Sequence, residues 1–238
     1  LSAALGMAAC GEPSAAPVRS SALTAADSSP RVAVVVIADE TGRMLGGTGT
    51  LVGPHAVLTT ATLIAGIPPT ALRVVVTPMF GGPDVRYGVV DAYFDPEFAG
   101  ADAHDLALLR LGTAPTEALP LPTPTGVVGA RGESVILVGF GRTTVGASDD
   151  GVRREGASTL SIVTAETWQV SGPALACIGD SGAPMLIDEA GVLVVGAIVS
   201  RGDCSTYSVG PTLSASAAFI DETLAEIEAA SDAGPRPD

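Results

Sequence analysis

Cys177-Ile178-Gly179-Asp180-Ser181-Gly182-Ala183-Pro184 is the stretch on which the reading of this chain turns. Two glycines bracket an Asp-Ser pair, and a serine between glycines is by itself ordinary turn chemistry. Its surroundings add to that. An apolar segment follows Ala183. Further on, Gly196-Ala197-Ile198-Val199-Ser200-Arg201-Gly202 leads to a second cysteine, Cys204. A serine on a glycine-rich turn, backed by apolar segments and flanked by cysteines, is a candidate nucleophile. Its partners must be sought elsewhere in the chain.

Two other segments stand out beside it. His104-Asp105-Leu106-Ala107-Leu108-Leu109-Arg110-Leu111 places an aspartate before an apolar run, and Val57-Leu58-Thr59-Thr60-Ala61-Thr62-Leu63 forms a second apolar stretch. Together the three segments resemble the chymotrypsin/trypsin family of serine proteases over residues 31 to 230. On that resemblance Ser181 takes the nucleophile position and Asp105 the triad aspartate position. Thr62 stands where the family keeps its histidine. The implied fold is all-β: two six-stranded antiparallel Greek-key barrels followed by a C-terminal helix.

The residues read by themselves agree with a β protein. Short β-branched runs, split by Gly and Pro, occur at 31–37, 48–52, 57–64, 72–77, 87–94 and 105–111. A second set occurs at 134–139, 159–165, 167–170, 184–187, 192–200 and 212–214. Six strands at such spacing suggest a small barrel, although the strand count alone also allows a sandwich. The Pro-rich stretch 119–124 reads as the connector. The expected organisation is a first barrel over 31–118, a second over 119–215, a helix over 216–230 and a tail over 231–238. Ile220, Leu224 and Ile227 recur at helical spacing, with Ser216 or Ser214 as the cap.

With 238 residues and 47% hydrophobic composition, the chain is long enough for a substantial core. The net charge is −14, every basic residue is Arg, and no basic cluster occurs. That balance argues against nucleic acid as a partner.

Thr62 cannot serve as a general base, because an alcohol binds a proton far too weakly near neutral pH. The chain has two histidines. His104 adjoins Asp105 in a predicted strand and so points to the opposite face, and His55 follows Pro54 in a predicted turn. Both read as surface residues. Asp105 then reads as a retained carboxylate, hydrogen-bonded to nearby backbone or to the Thr62 hydroxyl. The resemblance assigns the oxyanion hole to the N–H groups of Gly179 and Ser181. It places Leu175 at the base of the specificity pocket, with Ser200, Arg201 and Gly202 as one wall. Leu175 makes that pocket apolar. Arg201 either favours acidic ligands or extends into solvent.

A Cys177–Cys204 disulfide follows from the family pattern and an exported setting. The family's other common bridge is lost at both ends, where Gly47 and Leu63 stand. The family also neutralises the carboxylate matching Asp180 with a newly released amino terminus. The corresponding motif is missing here, and Arg19-Ser20-Ser21-Ala22-Leu23 is a weak substitute, so Asp180 needs another partner.

Residues 1–10 are small and apolar and end in Met7-Ala8-Ala9-Cys10-Gly11. This resembles the end of a bacterial lipoprotein signal, which makes Cys10 the lipidated residue. An ordinary cleaved signal is the alternative. Neither the charged start nor an initiator Met is present, so truncation upstream is expected. Residues 11–30, rich in Ser, Ala and Pro, read as a flexible linker.

The expected protein is exported and monomeric. It has no metal and no cofactor, and it meets a membrane only through Cys10. It binds a protein or peptide ligand in the former substrate cleft as a pseudoprotease. The alternative is a serine endopeptidase or esterase with residual activity through Ser181.

Overall fold

The computed structural model describes residues 33–77, 83–100, 102–123, 126 and 129–232. Cys10, the linker and the end of the tail lie outside the described residues.

The first six strands are β1 (Val34–Asp39), β2 (Met44–Gly53), β3 (Ala56–Thr59), β4 (Leu72–Val76), β5 (Val85–Phe94) and β6 (Ala107–Leu111). They close into an antiparallel barrel in the order β1-β2-β3-β6-β5-β4. In β1 the run from Val34 to Ala38 is buried on both faces. One face fills the barrel and the other packs against the rest of the molecule, which is why that run is continuously apolar. β5 instead alternates buried and exposed residues in its first half, as one wetted face requires.

The second set is β7 (Ser134–Gly139), β8 (Arg154–Val163), β9 (Thr167–Ser171), β10 (Pro184–Glu189), β11 (Val192–Ile198), β12 (Arg201–Gly202) and β13 (Ser208–Pro211). It forms a seven-stranded sheet in the order β11-β10-β7-β8-β9-β13-β12. The curl is completed by an isolated bridge between Ala197 and Thr212 and by the Leu213 N–H donating to the Gly196 carbonyl at 3.0 Å. Two curled antiparallel sheets and a C-terminal helix are the double-barrel fold expected from the sequence. Trp168, 1% exposed, fills the second core. It packs so close to Gly196 that an added Cβ there would lie 2.1 Å from the indole.

The connector ties the halves together. The Leu121 N–H donates to the Leu51 carbonyl of the first barrel, and the Pro122 carbonyl accepts from Val195 N–H of the second.

Several local expectations are corrected. The predicted strand 57–64 ends at Thr59, and Ala61–Ile64 turn into a short helix, α1. The last predicted strand, 212–214, is a single bridge at Thr212, whereas β13 lies just upstream. The final helix, α2 (Ala217–Asp232), buries Ile220 and Ile227. Both belong to a core cluster shared by the two halves, and the helix packs against β6 of the first barrel. Ser216 stands at the cap position, its carbonyl accepting from Ile220 N–H at 3.0 Å. Its hydroxyl does not cap the helix; it donates to Asp95 across the barrel boundary.

Leu63 fills the space over Gly47, where an added Cβ would lie 1.9 Å from a Leu63 methyl carbon. Gly47 and Leu63 are therefore a complementary large–small pair. Among the described residues no helix is long and apolar enough to cross a membrane.

Candidate active-site cleft

Asp105 lies in the loop between β5 and β6 and is 2% exposed. Its Oδ1 accepts the Thr62 main-chain N–H at 2.8 Å, and its Oδ2 accepts the Ser200 hydroxyl at 2.5 Å. Of the two partners foreseen, the structure has the backbone N–H and not the Thr62 hydroxyl. The Ser200 bond escaped sequence reasoning, since the residues lie 95 positions apart. Thr62 is on the first turn of α1 and exposed. The short helix presents its N–H to the carboxylate because the first N–H groups of a helix have no internal partner.

Ser181 reaches the same place from the other barrel. Its hydroxyl donates to the Ser200 carbonyl at 3.3 Å, and its own carbonyl accepts from Thr48 N–H at 2.8 Å. Ser200 thus touches both Asp105 and Ser181. The turn after Ser181 needs glycine: Gly182 has φ +87°, and an added Cβ would lie 2.0 Å from the Thr48 carbonyl oxygen. The Gly179 carbonyl accepts the Thr48 hydroxyl at 2.9 Å, and the Ile178 carbonyl accepts Arg142 N–H at 2.9 Å. Because a trans peptide sets N–H and C=O on opposite sides, Gly179 N–H faces away from Arg142.

Asp180, the carboxylate in need of a partner, is held by backbone. Gly141 N–H donates to Oδ1 at 2.7 Å and Cys177 N–H to Oδ2 at 3.0 Å. Burial pushes its carboxyl above the ordinary value, opposed by these N–H groups and by the nearby Arg154 guanidinium. Gly141 leaves no room for a side chain, since an added Cβ would lie 2.4 Å from the carboxylate.

The disulfide joins Cys177 to Cys204 across 27 positions, anchoring the turn that carries Ser181. Leu175, Cys204, Asp180 and Arg154 line a cavity of about 160 Å³. Ser200, Arg201 and Gly202 are not among its lining residues, so the expected pocket base and its wall do not share one cavity.

Arg201 neither extends freely into solvent nor stands open to an acidic ligand. Its Nε and Nη2 donate to the two Asp102 oxygens, each at 2.6 Å, and its Nη1 donates to the Tyr207 hydroxyl at 2.7 Å. Nothing in the sequence pairs Arg201 with Asp102, 99 positions away.

The histidines sit elsewhere. His104 is in a turn with φ +58°, not in a strand, because β6 begins only at Ala107. It is 14% exposed and lies 3.1 Å from Asp95, so it is no free surface residue. His55 contacts the Leu111 carbonyl at 3.1 Å. Among the described residues no cluster of three His, Cys, Asp or Glu is arranged for a metal.

A search of curated proteins finds no match. The sequence model of the Trypsin family matches residues 23–218. That span takes in both barrels, Thr62, Asp105, Ser181 and the disulfide. The chain belongs to the trypsin family.

Proposed function

We propose that this trypsin-family domain is an exported binding protein that has lost ordinary proteolysis and takes a protein or peptide ligand in the cleft between its barrels. One observation carries the reading. At the position facing Asp105 the chain offers the N–H of Thr62 and an alcohol side chain, where proton transfer from Ser181 needs a group with a pKa near the working pH. Removing the histidine from a serine triad costs on the order of 10⁶ in turnover. The two histidines present are held by Asp95 and by the Leu111 carbonyl. A disulfide-bonded trypsin-type domain is typical of exported proteins. Lipidation at Cys10 would tether it to a membrane.

A second reading is a weak esterase or endopeptidase acting through Ser181. It is favoured by Asp105, which keeps its Thr62 N–H and Ser200 hydroxyl bonds as though to orient a base. Preorganised N–H groups at Gly179 and Ser181 would give such an enzyme its remaining rate.

A fluorophosphonate probe separates the two. The folded chain is treated alongside Ser181→Ala. The binding reading expects no labelling that depends on Ser181. Stoichiometric labelling of Ser181, lost in Ser181→Ala, would replace it with the enzyme reading.

A further inference from the structure

The geometry points to a cation-selecting latch: the Arg201–Asp102 pair is an exchangeable strap across the cleft, and the ligand that replaces it is an extended peptide whose Arg or Lys side chain takes over Asp102. This rests on the reading of the cleft as the ligand site.

Arg201 belongs to β12, the last strand of its sheet. One edge of β12 pairs with β13, and among the described residues the strand has no partner on its other side. An unpaired strand edge is a template for an extended peptide. The preceding residue, Ser200, has its carbonyl 3.3 Å from the Ser181 hydroxyl, so this edge leads directly to the serine. Asp102 lies on the other barrel, three residues before Asp105. The pair therefore joins the two walls of the cleft.

Two features make it a latch rather than a fixed brace. The side chains are 57% and 26% exposed, and exposed ion pairs are weak and screened by salt. Exchange is also unequal in the two directions. If a ligand carboxylate took Arg201, Asp102 would keep no other partner among the described residues, in a chain of net charge −14. If a ligand cation took Asp102, Arg201 would keep the Tyr207 hydroxyl at 2.7 Å and the Tyr207 ring at 5.7 Å. Displacing Arg201 from Asp102 thus strands nothing, and the net charge draws cationic ligands in from solution. The selection is opposite in sign to the one the lone arginine suggests in the sequence.

The test uses the full chain carrying Ser181→Cys, whose thiol can be alkylated without a general base. Three tripeptide chloromethyl ketones ending in Leu carry Arg, Gln or Glu at both upstream positions. Alkylation at residue 181 is followed by mass spectrometry of the digested protein. The Arg probe should react about two- to five-fold faster than the Gln probe, the range an exposed ion pair supports, with the Glu probe slowest. The spread should collapse in 1 M salt. Asp102→Asn should remove the Arg advantage, and Arg201→Gln, which frees Asp102, should enlarge it. General loosening of the cleft would move both variants the same way. Equal rates, a faster Glu probe, or variants shifting together would overturn the latch while leaving the cleft as ligand site. No alkylation by any of the three would overturn both.

Discussion

Replacing Thr62 with histidine asks whether the site lacks a base and nothing else. Thr62 is exposed on α1, so a larger side chain meets no core. Its N–H bond to Asp105, at 2.8 Å, is main-chain and survives the change. Asp105 Oδ2 accepts one hydroxyl, from Ser200, and a carboxylate oxygen has a second lone pair for an imidazole N–H. Among the described residues the Ser181 hydroxyl is held only by a 3.3 Å bond, so turning it toward a new acceptor costs little. A positioned general base contributes at least about 10²-fold, which is about 2.7 kcal/mol off the barrier. Hydrolysis of p-nitrophenyl acetate should rise by that factor in Thr62→His. The gain should grow as pH rises through about 6.5, where an unperturbed imidazole becomes neutral. Ser181→Ala in the same background should abolish it. A Thr62→His protein with a native circular-dichroism spectrum and an intact disulfide, yet no Ser181-dependent gain, would refute the reasoning. The lesion would then extend to the Gly179–Ser181 turn.

Reducing the Cys177–Cys204 bridge should lower the unfolding free energy by about 3–4 kcal/mol, the loop-closure value for 27 positions, read by urea melts with and without reductant. Gly47→Ala should destabilise by about 1–3 kcal/mol, because its Cβ falls on Leu63; the double variant with Leu63→Ala should lose less than the sum of the two single losses, since truncating Leu63 makes room for the Cβ, and simple additivity would mean that the two positions do not pack as a pair. Four donors at Ser205, Thr206 and Tyr207 hold the Asp203 carboxyl well below its ordinary 3.8. A depressed carboxyl stabilises above its unfolded value and stops doing so as pH falls through its folded one. The melting-temperature gap between the parent chain and Asp203→Ala should therefore be full at neutral pH and shrink below about pH 4; a gap that widens in acid contradicts the assignment. Burial and Glu117 raise the Tyr87 phenol to about 12, so Tyr87→Phe should remove a late-titrating component from the alkaline absorbance curve.

The sequence alone settled what local chemistry controls. Glycines around Ser181 mark a turn that only glycine can make, and β-branched runs split by Gly and Pro mark strands. Three short segments carried the family, because the turn, the aspartate and the strand that precedes α1 are each defined within about eight residues. Where local preference was overruled, tertiary packing was the cause. Val57–Ile64 looks like one strand, but it must turn at Thr60 so that Ala61 and Ile64 are buried and Thr62 N–H meets Asp105. The Ser216 hydroxyl would cap α2 in isolation, yet a buried carboxylate across the barrel boundary binds it instead. The partners of Asp180 and Arg201, and the Ser200 hydroxyl on Asp105, were illegible for one physical reason. Backbone N–H groups, hydroxyls and carboxylates recur all along the chain, and a carboxylate finds its donors, or a guanidinium its acceptors, only once folding has fixed which lie within about 3 Å. Gly141 to Asp180 spans 39 positions, Ser200 to Asp105 spans 95 and Arg201 to Asp102 spans 99. No periodicity reaches that far: the curl of the second sheet, where β7 and β10 are neighbours, decided the first pair, and the closure of the two barrels against each other decided the other two.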